Sequence, residues 1–316
     1  MRLIIFRLWA WPTLVNKRKG TKMLVSFHGS HSRDFCDHAS DPLRQILQSY
    51  VDVGFTHVGV TEHLPPDNDE FLYPDEIELG HDAAFLTERF ARLFNEERAR
   101  LKAEFREKLE LFFGFETEVY GQNSCGRIEE AISMYSPDII VASVHHVGDV
   151  PIDYSKELFE KAVSIFGCID SLWGAYYDQQ YSLIQCLGAY TNQFPIVLGH
   201  MDLIKLFSPS HTPSNIVWDK VLRNIEAAAD CGILFEVNSR AFKKGLSEPY
   251  PCPKILEAIS KSGGTITFGD DSHAANEVGL FLKDAQTIAY KYFNYAIVFE
   301  SRNNGGYQLN KTSLSG

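Results

Sequence analysis

The chain has 316 residues, 45% of them hydrophobic and 22% charged, enough to bury a sizeable core in one large or two smaller α/β domains. A formal net charge of −11 argues against nucleic acid as a partner, because that task needs a basic face. The apolar stretch Leu3–Val15, broken by Arg7 and Thr13, is too short to span a bilayer, so no membrane partner is expected either.

Residues 1–22 carry Arg2, Arg7, Lys17, Arg18, Lys19 and Lys22 and no acid. An Arg-rich, acid-poor start has the character of a transit peptide, yet nothing in it resembles a cleavage site. We read 1–22 as a nonessential basic extension, or a start placed ahead of Met23, and 23–316 as one domain. The first short apolar run follows at Leu24–Phe27 and ends in the histidine-rich segment His28, His31, His38. After Asp41-Pro42, the positions Leu43, Ile46, Leu47, Tyr50 and Val51 follow helical spacing. Asp41 is expected as N-cap, Pro42 at the first turn and Gly54 as the stop. Val58–Val60 leads into His63, and a long helix is expected over Phe85–Leu101. Leu111–Phe115 leads into Glu116, and Ile139–Val144 into His145 and His146. The aromatic-rich stretch from Pro151 to Phe194 is expected to form helices beside the site. Ile196–Leu198 then leads into His200, and a helix through Val217, Val221, Leu222, Ile225 and Ala228 stops at Gly232. Ile233–Val237, a helix through Ile255, Leu256 and Ile259, Ile266–Phe268 ahead of Asp271 and His273, and an eighth run at Ala296–Phe299 complete the pattern.

Strand–helix alternation implies parallel strands. Seven or eight repeats with polar residues at the strand ends favour a closed (β/α) barrel, whose chemistry sits at the C-terminal end of its strands. No Gly-rich phosphate loop is present. Neutral imidazoles are common metal ligands, and a carboxylate can bridge two ions. Seven histidines with Glu116 and Asp271 at one end of a barrel therefore read as ligands for several metal ions, since packing so many imidazoles without a cation would cost desolvation and hydrogen bonds. Cys36 is either a ligand or a packed thiol, with packing favoured. The six cysteines contain no CxxC pair, and their scatter suggests reduced thiols in a cytoplasmic protein.

The pieces FHGSHS…FCDHA, VTEHLP, GFETEV, SVHHVGDVPID, GHMDLIKLF, EVNSRAFKKGLSEPYP and GDDSHAANEVG closely resemble the PHP (polymerase and histidinol phosphatase) superfamily, and within it the histidinol-phosphatase branch, from about Leu24 to about residue 300. The resemblance implies a distorted (β/α)7 barrel holding three divalent metal ions, zinc, manganese or iron. It places His28, His31, Glu116 and Asp271 on the first ion, Glu116, His145 and His200 on the second, and His38, His63 and His273 on the third. It implies metal-assisted hydrolysis of L-histidinol phosphate, with Glu116, Asp271 and His273 as the catalytic set. The alternative is another small phosphate ester. One departure stands out: the family's opening motif is usually H-x-H, whereas His28 and His31 are separated by two residues, so His28 fits only where the strand end bulges. Lys205, Arg240 and Lys243 are expected at the substrate phosphate, ahead of Lys244. His146 would be turned from His145 and face the substrate. Glu118, Tyr177 and Tyr250 remain open as partners for its amino and imidazole groups. Asp202 is expected to support its neighbours, and His57, His81 and His211 to be structural or superficial.

Overall fold

The computed structural model describes residues 24–120, 124–302 and 306–313; the basic stretch 1–22 lies outside them. The strands are β1 (Val25–Ser30), β2 (His57–His63), β3 (Glu110–Thr117), β4 (Ile139–Ala142), the short pair β5 (His146–Val147) and β6 (Val150–Pro151), β7 (Ile196–Leu198), β8 (Leu234–Asn238), β9 (Ile266–Gly269), β10 (Tyr295–Ser301) and β11 (Tyr307–Ser313). The helices are α1 (Leu43–Val53), α2 (Pro74–Glu78), α3 (Ala83–Arg92), α4 (Arg98–Phe105), α5 (Ser124–Tyr135), α6 (Lys156–Phe166), α7 (Ile169–Leu187), α8 (Asn215–Cys231), α9 (Arg240–Lys243), α10 (Pro253–Lys261) and α11 (Leu282–Ala289). Seven strands form one parallel sheet in the order β1-β2-β3-β4-β7-β8-β9. Its edges meet: Asp271 N–H donates to His28 O at 2.9 Å, Ser272 N–H to Gly29 O at 2.7 Å and His31 N–H to Ser272 O at 2.8 Å. The sheet is thus nearly closed into a barrel with helices around it. Among the described residues, no helix is long and apolar enough to cross a membrane.

Strand alternation divides the apolar side chains in two. Val58, Val60, Leu111, Phe113, Phe115, Ile140, Phe235 and Phe268 join the helices in the larger core. Val25, Phe27, Phe112, Ile139, Val141, Val197 and Leu234 form a second cluster in the barrel interior. Glu116 and Glu236 share the inward face with Phe112 and Leu234, so a buried acidic layer lies directly above this apolar floor.

Five residues of β1, Ser26 to Ser30, lie opposite only three of β2, Val58 to Val60. This is the bulge that His28 requires. Gly29 and Gly59 permit it: a Cβ on Gly29 would lie 2.4 Å from Gly59 O, and one on Gly59 would lie 2.3 Å from Phe27 O.

Several local expectations are corrected. Asp41 does not cap α1. The helix starts after Pro42, Leu43 N–H donates to Asp34 Oδ2 at 2.9 Å, and Asp41 Oδ2 accepts from Ala275 N–H instead. The long second helix is continuous through α3 and α4 but is widened by a π turn at Leu93–Glu97. The eighth apolar run is no barrel strand: β10 pairs antiparallel with β11 and lays Ile297, Val298 and Phe299 against the interior floor. Cys125 and Cys186 are neighbours, since the start of α5 packs near the end of α7 with the two Cα atoms 5.8 Å apart, a spacing within reach of a disulfide. The other four cysteines are free.

Candidate metal centre

Glu116, near the end of β3, is 2% exposed, and its two oxygens face different groups of imidazoles. Oε1 lies 2.9 Å from His145 Nε2 and 3.0 Å from His200 Nε2. Oε2 lies 3.4 Å from His28 Nε2, 3.6 Å from His31 Nε2 and 3.0 Å from His63 Nδ1. Asp271 Oδ1 adds a second carboxylate, 3.4 Å from His31 Nε2 and 3.9 Å from His28 Nε2. Asp271 has a left-handed φ of 47°, a strained conformation for a residue with a Cβ. At the rim, His38, His63, His273 and Cys36 offer ligand atoms that all lie within 4.8 Å of one another. The structure therefore gathers all nine residues expected to bind metal into one cluster, with His28 and His31 buried beneath the cleft that the other seven line.

Burial alone would push the Glu116 carboxyl up, but His28, His145 and His63 hold it well below the usual carboxylate range. Burial disfavours the charged form of His28, yet Glu236, Glu116 and Asp271 together raise it well above an ordinary histidine. His145 is raised against its burial by Glu116 and Asp153. His31 is lowered by burial and by His63, and His273 by burial and by Arg240. These imidazoles cannot all be satisfied by one another. His28 Nε2 and His31 Nε2 face each other at 3.3 Å, and His31 Nδ1, His63 Nε2 and His200 Nδ1 are buried without a hydrogen-bond partner. The facing Nε2 atoms of His28 and His31, set beside the oxygens of Glu116 and Asp271, fit a divalent cation, for which imidazole and carboxylate are suitable donors.

Three carboxylates that hold this arrangement in place were not singled out in the sequence. Glu236 lies 3.1 Å from His28 Nδ1, and it accepts from His200 N–H at 2.7 Å and from Asn238 Nδ2 at 3.0 Å. Asp153 lies 3.0 Å from His145 Nδ1. A carboxylate only accepts, so Nδ1 donates in both histidines, which leaves Nε2, the nitrogen facing Glu116, as the atom that would hold a cation. Glu62 accepts from Ser32 N–H and Oγ, which anchors the 31–41 loop, and burial pushes its carboxyl up to about 8. The available signal was an acid embedded in an apolar run, as in LFEVN and VTEH.

The expected substrate-binding residues are placed unevenly. Arg240 lines the cleft, its Nη1 donating to Asp271 O at 2.6 Å. Lys205 does not line it: a short 3₁₀ turn at Leu203–Lys205 folds its ammonium back to Pro249 O at 2.9 Å and Asp202 Oδ2 at 3.0 Å. Lys243 pairs with Glu277, and Lys244, ranked behind it, faces the cleft instead. His146 turns from His145 as expected, with Nδ1 3.0 Å from Glu118 and its ring against Tyr73 and Tyr120. Tyr250 lines the cleft and Tyr177 does not. Asp270 points away, accepting from Ser26, Tyr50 and Gly279. His57, His81 and His211 pair with Glu110, Asp37 and Asp170, away from the cluster.

Glu118 accepts from both His145 N–H and His146 N–H. Burial would raise its carboxyl, but His146 and these donors bring it down to about 2 from 4.5. The folded state thus keeps the carboxylate ionised at a lower pH than the unfolded state does. Glu118→Gln is expected to cost about 3 kcal/mol at pH 7. That difference should be full above the unfolded value near 4.5 and vanish as pH falls toward 2; urea midpoints of both proteins at pH 7 and pH 3.5 check it.

Comparison with known proteins gives concordant matches. The model of the PHP domain family matches residues 28–240. A Schizosaccharomyces pombe protein named "Probable histidinol-phosphatase" is 38% identical over 264 residues, 82% of this chain and 83% of that protein. The Saccharomyces cerevisiae histidinol-phosphatase is 28% identical over 295 residues, 80% of this chain and 84% of that one. The crystal structure of histidinol phosphate phosphatase from Lactococcus lactis, complexed with zinc, L-histidinol and phosphate, superimposes with a TM-score of 0.64 at 19% identity, over 88% of this chain and 97% of that one.

Proposed function

The chain belongs to the PHP domain family, and from that premise we propose that it is a histidinol-phosphatase, a phosphoric monoester hydrolase that converts L-histidinol phosphate to L-histidinol and phosphate. The observation that carries the reading is Glu116, whose two oxygens are set between two groups of imidazoles. His28, His31, Glu116 and Asp271 would hold one cation, Glu116, His145 and His200 a second, and His38, His63 and His273 a third, drawn from zinc, manganese and iron. Divalent cations so bound lower the pKa of water and screen phosphoryl charge.

The protein's own part is placement. Glu116 would present one oxygen to each of the first two cation positions. Glu236 and Asp153 keep the protons of His28 and His145 on Nδ1. Arg240 and Lys244, which share the cleft wall with Asp271 and His273, are assigned to the phosphoryl oxygens in place of Lys205 and Lys243. Tyr73, Tyr154 and Tyr250 line the remaining wall and limit water around the ester. Asp271, on the cleft wall, is the candidate to orient a water that gives its proton to the leaving alkoxide. His146 with Glu118 is assigned to the amino-alcohol side of the substrate. We take residues 23–316 as one domain and place the activity in the cytoplasm, where a charged phosphate ester is retained and free thiols such as Cys36 stay reduced.

The test is phosphate release from L-histidinol phosphate with elemental analysis of the same sample. Turnover should disappear with a chelator and return with zinc or manganese, at three cations per chain. Turnover of other phosphate esters but not of L-histidinol phosphate would overturn the substrate assignment.

A further inference from the structure

Cys36 is 5% exposed, yet it belongs to neither apolar cluster of the protein, whereas Cys186, Cys231 and Cys252 all pack against the larger one. Cys36 lines a hollow with His38 and His63, and its Sγ lies within 4.8 Å of ligand nitrogens of His38, His63 and His273. Its loop is fixed on both sides. Cys36 N–H donates to Ser32 O at 2.7 Å, Ser32 is held by Glu62, and Arg89 donates to Asp34 O and pairs with Asp37. A buried sulfur that avoids the core and is aimed by a braced loop at three imidazoles has the placement of a ligand.

We infer that Cys36 is the fourth protein donor to the cation held by His38, His63 and His273, giving that position one sulfur and three nitrogens. This rests on the metal-dependent reading above. On binding, the Sγ–H bond gives way to an Sγ–metal bond and one proton leaves to solvent. A thiolate donor favours zinc over manganese, so this position should select zinc more strongly than the two built from imidazole and carboxylate alone.

The experiment uses the metal-free full chain titrated with Co²⁺. Wild type should show a near-ultraviolet sulfur-to-cobalt charge-transfer band together with the visible bands of bound cobalt. Cys36→Ser should keep the visible bands and lose the ultraviolet one. Bound cobalt without the sulfur band, or a band unchanged in the variant, sinks the thiolate and leaves the phosphatase reading standing. Absence of cobalt binding in wild type sinks both. Zinc-edge X-ray absorption on zinc-loaded wild type needs no variant: a sulfur shell at about 2.3 Å supports the assignment, and nitrogen and oxygen shells alone overturn it.

Discussion

Glu116→Gln is expected to lower the turnover of L-histidinol phosphate by three or more orders of magnitude, about 4 kcal/mol of transition-state stabilisation, while the barrel stays folded. Oε1 of Glu116 serves His145 and His200, and Oε2 serves His28, His31 and His63. An amide can present an oxygen to only one of these groups. Its NH₂ faces the other group and repels a cation there, so one position loses a donor and a negative charge together. Glutamine fills the same space, and the apolar floor below does not depend on this carboxylate. Turnover, metal content and the far-ultraviolet circular dichroism of one preparation check the outcome. A loss smaller than tenfold with full metal content would remove Glu116 from the centre of the scheme.

Glu236→Ala is expected to weaken cation binding 10- to 100-fold, the usual effect of removing an outer partner of a ligating histidine, and to cost about 3–5 kcal/mol of stability. It would leave His28 Nδ1, His200 N–H and Asn238 Nδ2 without their shared acceptor in a region closed to water. Gly269 already marks how tight the space is, since a Cβ there would lie 1.8 Å from Glu236 Oε1. Glu236→Gln, which keeps one acceptor oxygen, should recover part of both losses. Competition with a zinc chelator and urea unfolding measure the two effects separately. Zinc affinity within twofold of wild type in the alanine variant would show that Glu236 does not orient His28.

Most of the candidate ligands were legible in the sequence because they follow a short apolar run, and a parallel barrel brings such ends to one face, whereas His31 and His38 lie in the loop after β1. Asp271 could be told from Asp270 by its spacing to His273. The supporting shell was harder to read. Which carboxylate meets which Nδ1 depends on tertiary approach: Glu236 on β8 reaches His28 past β9, and Asp153 reaches His145 only because the β5–β6 hairpin folds back. The cations were misplaced for a related reason. One turn of 3₁₀ helix after β7 sends Lys205 inward to a carbonyl, and one step along α9 exchanges Lys243 for Lys244 at the cleft. The β1 bulge was anticipated only as a condition on His28. The eighth apolar run carried no sign that it would leave the sheet, because β10 has the same composition as a barrel strand.

That last strand has a consequence for how the protein is made. Phe299 packs at a tilt on Phe27 with ring centroids 4.1 Å apart, and Thr267 Oγ1 donates to Ile297 O at 2.9 Å. The seal therefore joins the first strand synthesised to one of the last. While the ribosome still holds the final hairpin, a nascent chain with all seven barrel strands in hand has an open base and unshielded Phe27 and Phe112. A premature stop just before Tyr295 would leave a molecule that carries every candidate ligand yet exposes this apolar floor.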